Sequence, residues 1–505
     1  MRLIYAQKSI VNFSVNNPFC RVSFGADFDL TLGEIQFEIE MDDSRNNTKD
    51  LVNRFEGMLK RDEVLFFDVE EFEQITDYYF HKGNNKSALE VIEMAIHQHP
   101  MSAIFPIKRA QYFTAYDKME EAMKELDKAA ALEPNSYDML VARSHIFSKQ
   151  GKHGRAVNLL KKALHAAEEP ADVHALIAEQ YQYMGKYEEA LKHHRQVIKV
   201  FHDDEIALYN IALCFEMLNQ YKKAVDFFKA YIDKYPYSEI AWYNLGIAYA
   251  RMDELRNAAN SFEYSILVDE HFIAAYFELG RVLERLGDFS EAARVYENSF
   301  EFDAPSGYSY YRLGNCYRNM KDHQKALRYF KRAIKEDPDL DEAYIELSML
   351  YMDNGKLLEA IFYIKKAIEL DAENPDYFII ASDVYKRGGL YLEAEECFKK
   401  VFELGYDEPE IFIEYADLLL DMTETKAALN LMKKGILKHP QSDLLRVVNA
   451  GFLYELENVE ACRIELQKGF ELNPKAEEIF FDAFPDYAED QIIIDMIKNI
   501  KGGMV

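Results

Sequence analysis

Large apolar residues and small residues recur along most of the chain with a period of 34 residues. The clearest copy is the segment 239–272, whose pattern residues are Trp242, Leu245, Gly246, Tyr249, Ala258 and Phe262. Apolar residues that are three, four and seven positions apart share one face of a helix. Each copy is therefore predicted to form two amphipathic helices, helix A at positions 1–14 and helix B at about positions 15–30.

A column of small residues fixes the phase of this repeat. Steps of 34 residues from Ala258 meet the same small residue at position 20 of each copy, which is Ala88, Ala122, Ala156, Ala190, Ala224, Ala258, Ala292, Ala326, Ala360, Ala394, Ala428 and finally Cys462. A second small column stands at position 8, and proline recurs at position 32 as Pro100, Pro134, Pro236, Pro338, Pro440 and Pro474. The columns define twelve predicted repeats, which together span residues 69–476.

The two small columns have a physical reason. Helices approach closely only where small residues lie at the crossing of their axes, so positions 8 and 20 are predicted to form the crossing of each helix pair. The large apolar columns at positions 4, 7, 11 and 24 fill the space around it, and proline ends helix B because it has no N–H to donate. The copies in 205–374 follow the pattern best. Residues that depart from the pattern are Arg109, Arg143, His194, Tyr231 and Arg446.

The order W-x2-L-G-x2-Y followed by A-x3-F in 239–272 resembles the tetratricopeptide repeat. Glu270 stands where that repeat has its closing proline. About four-fifths of the chain lies in the same frame. The resemblance implies an all-α fold, a right-handed solenoid (superhelix) of stacked antiparallel helical hairpins, in which helix A of each repeat lines a concave groove.

Residues 1–40 do not follow the repeat. Ile35, Phe37 and Ile39 alternate with polar residues, which is the period of a strand, but a lone strand has no sheet to join. Three interpretations stay open: a disordered tail, a small strand docked on the edge of the solenoid, and codons upstream of a true start at Met41. We favour a segment outside the functional fold.

A capping helix is predicted at each end of the repeats, because a terminal repeat has an apolar face without a neighbour. At the N-terminal end, the segment 41–68 carries an amphipathic face made of Leu51, Phe55, Met58 and Leu59. At the C-terminal end, the segment 477–505 continues the phase through Phe480 and ends in a second amphipathic helix. Its apolar face consists of Ile492, Ile493, Met496, Ile497 and Ile500.

Charge and cysteine usage narrow the range of partners. The chain has 505 residues and a formal net charge of −29, so we expect nucleic acid and anionic membranes to repel it. No apolar run is long enough to span a membrane, and we expect no membrane insertion. The five cysteines are dispersed without metal-ligand spacing and are predicted to be buried thiols in a reducing, cytoplasmic setting. They are Cys20, Cys214, Cys316, Cys397 and Cys462.

No catalytic or metal-binding motif stands out. The sequence contains neither the phosphate-binding GxxxxGK[ST] nor HExxH nor GxSxG. His193 and His194 are neighbours, so on a helix they point in different directions. We therefore expect no enzymatic activity, no cofactor and no metal.

The candidate binding residues lie on helix A, whose positions 2, 5, 6, 9, 12 and 13 face the groove in tetratricopeptide repeats. Aromatic faces supply apolar contact area, asparagine both donates to and accepts from a peptide backbone, and arginine holds carboxylates bidentately. The competing interpretation is a solvated helix face with ordinary tyrosines. The candidate peptide-binding residues are Tyr209, Asn210, Tyr243, Asn244, Arg251, Phe277, Arg281, Arg285, Tyr311, Arg312, Asn315, Arg318 and Asn319.

Beyond Asp341 the groove positions become acidic, and only Lys386 and Arg387 oppose them. The groove is interpreted either as bipolar or, in this half, as a face that keeps the protein soluble. The acidic residues are Glu342, Glu346, Asp353, Asp376, Asp383, Glu410, Glu414, Asp417 and Asp421.

The predicted function is that of a non-catalytic scaffold or adaptor that binds extended segments of other proteins or peptides in its groove. Arg281→Glu combined with Arg312→Glu is expected to abolish partner capture without unfolding the protein. The alternative function is that of a structural subunit, which self-associates or joins a larger assembly through its convex face or its ends. The oligomeric state stays open.

Overall fold

The computed structural model describes residues 48–61 and 63–503, and every regular element among them is helical. The predicted all-α class is therefore confirmed. The segment 1–40, including the alternating stretch at 35–39, lies outside the described residues.

The chain divides into two compact units, Met1–Leu218 and Asn219–Val505, which are considered one at a time. The helices of the first unit are α1 (48–61), α2 (Val69–His81), α3 (Asn85–Gln98), α4 (Ile104–Ala115), α5 (Met119–Leu132), α6 (Tyr137–Lys149), α7 (His153–Ala163), α8 (Pro170–Tyr183), α9 (Tyr187–Val200) and α10 (Glu205–Met217).

The second unit begins in the turn that follows α10. Its helices are α11 (Tyr221–Ile232), α12 (Glu239–Arg251), α13 (Leu255–Val268), α14 (Ile273–Leu286), α15 (Phe289–Ser299), α16 (Gly307–Asn319), α17 (His323–Glu336), α18 (Asp341–Asp353), α19 (Leu357–Leu370), α20 (Pro375–Arg387), α21 (Tyr391–Glu403), α22 (Pro409–Asp421), α23 (Thr425–Lys438), α24 (Asp443–Glu455), α25 (Val459–Leu472), α26 (Ala476–Ala483), the 3₁₀ segment Pro485–Tyr487, and α27 (Gln491–Gly503).

Pairs of helices are the repeating unit of both parts of the chain. Helices A and B of repeats 1–4 are α2 to α9 in order, α10 and α11 belong to repeat 5, and repeats 6–12 are α12 to α25. Within each unit every helix of these repeats packs against the helix before it and the helix after it. The predicted stack of helical hairpins is confirmed.

The turn between helices A and B has the same backbone conformation in every repeat. The residue at position 15 is left-handed, with φ between +53° and +83°. Glycine adopts this conformation without steric cost, whereas other residues are strained by their Cβ atom. Six of the residues are glycines, and the other six are Asp117, Asn219, Asp253, Lys321, Thr423 and Glu457.

Helix A begins after a capping side chain in seven repeats. The residue at position 34 of the preceding frame accepts a hydrogen bond from a backbone N–H of the first helical turn, which would otherwise have no partner. The capping residues are Asp68, Ser136, Asp204, Ser238, Ser306, Asn374 and Ser442.

The small columns lie buried at the helix crossings. Alanines at position 20 are at most 3% exposed. In repeats 6–8, the glycine at position 8 lies directly under the aromatic ring at position 24 of the same repeat. A Cβ atom on these glycines would lie only 2.4–2.6 Å from the ring, so glycine is required by close packing. The pairs are Gly246–Phe262, Gly280–Tyr296 and Gly314–Phe330.

Charged residues that replace the usual apolar side chains have partners. Arg109 and Arg143 stand at position 7, where leucine is usual, and Arg446 stands at position 4. Each arginine forms an ion pair with a carboxylate of a neighbouring helix, so the helix pair accepts the charge. The pairs are Arg109–Glu125 at 2.6 Å, Arg143–Asp127 at 2.5 Å and Arg446–Glu465 at 2.9 Å.

A column of cation–π contacts joins adjacent repeats. A basic side chain at position 25 lies 5.4–6.0 Å from the ring at position 11 of the next repeat. The pairs are Lys161–Tyr181, Arg195–Phe215, Lys229–Tyr249, Lys331–Tyr351 and Lys365–Tyr385. Between repeats 7 and 8, Glu297 takes the basic position and accepts a hydrogen bond from the Tyr317 hydroxyl at 3.0 Å.

The N-terminal helix α1 packs on repeat 1 through Phe55 and Met58, both buried. Leu59 was expected on the same face but is 47% exposed. The fully buried Phe67 belongs instead to the non-helical stretch 63–68, and its ring lies 5.8 Å from that of Phe55. An amphipathic-helix pattern could not reveal this side chain, because it lies outside a helix.

The C-terminal helix α27 packs on the end of repeat 12. Ile493, Met496, Ile497 and Ile500 are buried there with Phe480, as expected. Ile492, which was assigned to the same face, is 58% exposed. The limits of the repeat region and of its two capping segments stay predictions.

Candidate peptide-binding face

The aromatic residues at position 5 of repeats 6–8 are half-buried. Each packs against the aromatic ring at position 24 of its own repeat, which covers the glycine at the helix crossing. The contacts are Tyr243–Phe262 at 5.7 Å, Phe277–Tyr296 at 5.7 Å and Tyr311–Phe330 at 6.0 Å between ring centroids. These three side chains therefore contribute to the core and also keep part of their surface on the helix-A face.

The two asparagines at position 6 differ from the sequence expectation of an exposed pair. Asn210 is engaged within the first unit, because its Nδ2 donates to the Ile206 carbonyl and its Oδ1 accepts from Gln182, both at 2.9 Å. Asn244 is only 4% exposed, and its Nδ2 has no hydrogen-bond partner among the described residues. Tyr209 precedes Asn210 on the same helix and is 39% exposed.

Two of the candidate arginines are well exposed. Arg281 donates to Glu278 of its own helix at 2.8 Å, and Arg285 donates to Asp253 of the preceding repeat at 2.7 Å. Roughly half of each side chain remains accessible. Surface ion pairs of this kind are weak, so both guanidinium groups can exchange their partners for a ligand carboxylate. Arg251 is also exposed.

Arg312 and Arg318 are engaged between repeats. Arg312 holds Glu284 of repeat 7 through two hydrogen bonds of 3.0 and 2.9 Å, and the two side chains are only 21% and 13% exposed. Arg318 forms an ion pair with Glu346 of repeat 9. The nearby Asn319 donates to the Asn315 carbonyl at 2.9 Å. Arg312 therefore links repeats 7 and 8 and is poorly placed for a partner.

The Arg312–Glu284 pair belongs to a polar triad that begins in the core. The Tyr296 hydroxyl donates to Glu284 at 2.7 Å. Burial and then Glu284 raise the pKa of Tyr296, so its hydroxyl stays protonated. Burial alone would lower the pKa of Arg312, but Tyr296 and Glu284 raise it above its usual value. The triad joins position 24 and position 12 of one repeat to position 6 of the next.

Repeat 4 contains a neutral triad at the same three positions. His194 Nε2 lies 3.3 Å from Gln182 Oε1, and Gln182 in turn donates to Asn210. Position 24 is apolar in the ten repeats other than 4 and 7. A polar residue at that position was the only sequence signal that could have revealed the triads.

The histidines of repeat 4 are close together but uncharged at neutral pH. His174 Nδ1 and His193 Nδ1 lie 2.8 Å apart. Burial and then neighbouring groups lower the pKa of His193 and of His194 to about 4. Within 48–61 and 63–503, no three His, Cys, Asp or Glu side chains are arranged to hold a metal ion.

The acidic half has few cations to balance it. Lys386 forms ion pairs with Asp417 at 2.5 Å and Asp421 at 2.9 Å. Burial, and then the carboxylates around it, raise the pKa of Glu414. Like charges therefore crowd the helix-A face of repeat 11.

The four cysteines in the described part of the chain are buried thiols. Burial is the largest cause that raises the pKa of each thiol to about 12, which makes them poor nucleophiles. Among the described residues, no helix combines the length and apolar character that crossing a membrane requires.

The fold defines an all-α protein built from stacked helical hairpins. Polar side chains of helix A link adjacent repeats, as in the Gln182–Asn210 and Glu284–Arg312 pairs. Profiles of the tetratricopeptide repeat family match residues 171–236, 243–307, 307–340 and 341–374. The last two segments coincide with repeats 8 and 9. The chain therefore contains tetratricopeptide repeats between residues 171 and 374, and repeats of this family support a general role as a protein-interaction scaffold.

Solved structures with similar folds include yeast Tom70, which is 16% identical and aligns over 86% of this chain and 95% of its own, with a TM-score of 0.38. MamA is 22% identical over 32% of this chain and 94% of its own, with a TM-score of 0.31. YrrB, described as having an unusual peptide-binding site, is 22% identical over 39% of this chain and 97% of its own, with a TM-score of 0.32. These low TM-scores indicate nothing further about function. The comparison with curated proteins finds no match.

Proposed function

We propose that the protein is a non-catalytic scaffold that binds an extended segment of another protein along the helix-A face of repeats 6–8. The observation that carries this proposal is the row of half-buried rings at position 5, namely Tyr243, Phe277 and Tyr311. Rings of this kind are enriched at the centres of protein interfaces. Since each ring is held by the ring at position 24, little conformational entropy is lost when a partner binds.

The charges beside these rings indicate the chemistry of the partner. Arg281 and Arg285 lie on the same helix face and have only weak surface partners. An acidic segment with large apolar side chains would place its carboxylates on the guanidinium groups and its apolar groups on the rings. Tyr209 and Asn210 belong to the first unit and are proposed as separate contact residues. Dispersed buried thiols support a reducing, cytoplasmic setting.

Because Arg312 is paired with Glu284, the test of binding needs a double variant that leaves Arg312 unchanged. Arg281→Glu with Arg312→Glu would place a carboxylate beside Glu284, and instability would then be confused with loss of binding. Arg281→Glu with Arg285→Glu changes only exposed side chains. We expect this variant to bind at least about tenfold more weakly, which corresponds to about 1.4 kcal/mol.

The measurement uses an acidic, aromatic-rich peptide selected from a random library on the pure wild-type chain, with affinity determined by fluorescence anisotropy. The matched control is Arg256→Glu with Arg294→Glu, which changes the charge equally on exposed helix-B positions of repeats 6 and 7. Equal affinity of the helix-A variant and the control would refute the assigned face. Melting curves of both variants exclude unfolding as a cause.

A further inference from the structure

Summed over repeats 8–11, the A helices and the B helices carry opposite net charge. The A helices of these repeats, α16, α18, α20 and α22, total −6, and the B helices, α17, α19, α21 and α23, total +6, with histidine counted as neutral. The whole-chain charge of −29 hides this separation. The separation is uneven, because α18 and α22 carry the excess of acidic residues and α17 and α23 carry the excess of basic residues.

The basic face is regular from repeat to repeat. Positions 25 and 26 are both basic in four consecutive repeats: Lys331–Arg332, Lys365–Lys366, Lys399–Lys400 and Lys433–Lys434. Except for Lys400, these residues precede the last turn of helix B, so the helix dipole, whose effect is confined to the last turn, does not explain the row. Several cations of the B helices form no ion pair with any described residue, namely Arg328, Lys335, Lys426, Lys433 and Lys434.

Exposed apolar residues lie on the same helices. Position 18 is polar or glycine in the ten other repeats, but it is Leu358 in repeat 9 and Leu392 in repeat 10. Leu358 is 82% exposed, Leu392 is 67% exposed, and Phe362, one turn along from Leu358, is 55% exposed. Large exposed apolar side chains that cluster in adjacent repeats are typical of a docking surface.

The acidic face has the same repeat. Position 2 of repeats 9–11 carries Glu342, Asp376 and Glu410, all exposed and without an ion pair among the described residues. Because both rows follow the same 34-residue unit, their charges recur once per hairpin. The three cations at position 26 of repeats 9–11 therefore match the three carboxylates at position 2 in number and in order. Met349, Ile379 and Ile413, all half-buried, supply apolar contacts on the acidic face.

We propose that the basic helix-B face of repeats 8–11 docks on the acidic helix-A face of repeats 9–11 of a second copy of this chain. The two surfaces differ, so the contact is heterologous. In a pair, one copy keeps a free acidic surface and the other keeps a free basic surface, which leads to chains of copies. At physiological salt, charges more than about 8 Å apart are screened, so the overall repulsion between two acidic chains weakens while the paired contacts persist.

Two triple variants test the contact. The helix-B variant Lys366→Glu, Lys400→Glu and Lys434→Glu reverses the basic row, and the helix-A variant Glu342→Lys, Asp376→Lys and Glu410→Lys reverses the acidic row. In sedimentation velocity at 0.15 M salt, we expect the wild-type chain to form larger species as its concentration rises. Each variant alone should sediment as a monomer, and raised salt should dissociate the wild-type species.

A mixture of the two variants provides the decisive control. The native basic row of the helix-A variant then meets the native acidic row of the helix-B variant, and the two reversed rows are also of opposite charge. We expect the mixture to regain the larger species, which a variant that fails to fold could not do. Leu358→Ser with Leu392→Ser, at exposed sites, should weaken association without a change in charge.

A wild-type chain that stays monomeric at every concentration would overturn the proposal. So would a mixture that stays monomeric while both variants melt like the wild type. In a last experiment the chain is sedimented with vesicles of phosphatidylcholine and phosphatidylserine. A monomeric chain that sediments with these vesicles through its lysines would assign the surface to lipid instead.

Discussion

Repeat 4 and repeat 7 place a polar residue at the same point of the helix crossing and satisfy it differently. In repeat 4 the residue is His194, whose Nε2 contacts Gln182, which in turn donates to Asn210; the His194 Nδ1 has no partner among the described residues. In repeat 7 it is Tyr296, whose hydroxyl donates to Glu284, which in turn pairs with Arg312. Both triads run from position 24 through position 12 to position 6 of the next repeat.

This difference shows how a repeat accommodates a polar side chain at its helix crossing. A buried polar atom without a partner is costly, and in both repeats the side chain that supplies a partner stands at position 12. The side chain at position 12 then also pairs with the residue at position 6 of the next repeat. One polar residue at a crossing therefore determines the chemistry of the junction that follows, neutral after repeat 4 and charged after repeat 7.

The largest expected effect comes from breaking the charged triad. Arg312→Ala removes the partner of Glu284, whose carboxylate is only 13% exposed. Loss of one partner of a buried ion pair typically costs a few kcal/mol, and we expect about 3 kcal/mol in the free energy of unfolding. Urea denaturation followed by circular dichroism measures this loss.

The matched change in the neutral triad is Asn210→Ala, which removes an amide hydrogen bond and should cost about 1 kcal/mol. Equal costs for the two changes would mean that the charge of the repeat 7 triad is unimportant. Glu284→Gln combined with Arg312→Gln, which neutralises both partners, should recover part of the stability that Arg312→Ala loses.

The second prediction concerns pH. Of the two triads, we expect only the triad of repeat 4 to change the stability of the chain between pH 7 and pH 5. The pKa of His194 is about 4 in the folded chain and about 6.5 when unfolded. Since its folded pKa is lowered, protonation favours unfolding. This contribution is complete above pH 6.5 and is lost as the pH falls towards 4. At pH 5 the loss should be about 2 kcal/mol.

Urea denaturation at pH 7 and at pH 5 measures the pH effect. His194→Leu should reduce the difference in stability between the two pH values. Tyr296→Phe should leave that difference unchanged, because burial and Glu284 raise the pKa of Tyr296 further above this range. An identical pH dependence of the wild type and His194→Leu would contradict the role assigned to this histidine.

These triads mark the limit of what the sequence could predict. The helix pattern and the buried column that includes Ala258 followed from spacing, because one hairpin buries one face of each helix. The pattern also placed Arg312 on the helix-A face. It could not show that position 12 of one repeat lies against position 6 of the next, since that contact depends on how two hairpins stack. Arg281 and Arg312 therefore appeared equivalent, although only Arg281 is well exposed.

The left-handed turn was missed for a different reason. Position 15 is glycine in only six repeats, and the others include Lys321, Thr423 and Glu457. A residue column with such mixed chemistry carries no visible pattern. The conserved property is the backbone angle, which the side chains tolerate at a cost in strain.

A third prediction tests why repeat 7 has glycine at position 8 where repeat 4 has Ala178. In Gly280→Ala the new Cβ would lie 2.4 Å from the Tyr296 ring. Overpacking costs about 1–3 kcal/mol, and the better helix propensity of alanine returns about 1 kcal/mol. We expect a net loss of up to about 2 kcal/mol.

Denaturant titration measures the Gly280→Ala loss, and a smaller ring at position 24 should relieve it. Gly280→Ala combined with Tyr296→Leu should therefore lose less stability than the sum of the single changes. If the losses of the two single changes were strictly additive, the Tyr296 ring would not be the reason for glycine at position 280. Ala178→Gly in repeat 4 should cost about 1 kcal/mol in helix propensity and about 0.8 kcal/mol more for the lost methyl group, because Ala178 is fully buried.

The smallest expected effect lies in the turn, where repeats 4 and 7 both have glycine at position 15, Gly185 and Gly287. Repeat 11 has Thr423 there, with φ +64°. A β-branched residue is strained in this conformation, so Thr423→Gly should stabilise the chain by up to about 1 kcal/mol, less the entropy that glycine gains on unfolding. Gly287→Thr should destabilise by a similar amount. The two melting temperatures should move in opposite directions, and a fall for both would show that strain at position 15 is not what separates these repeats.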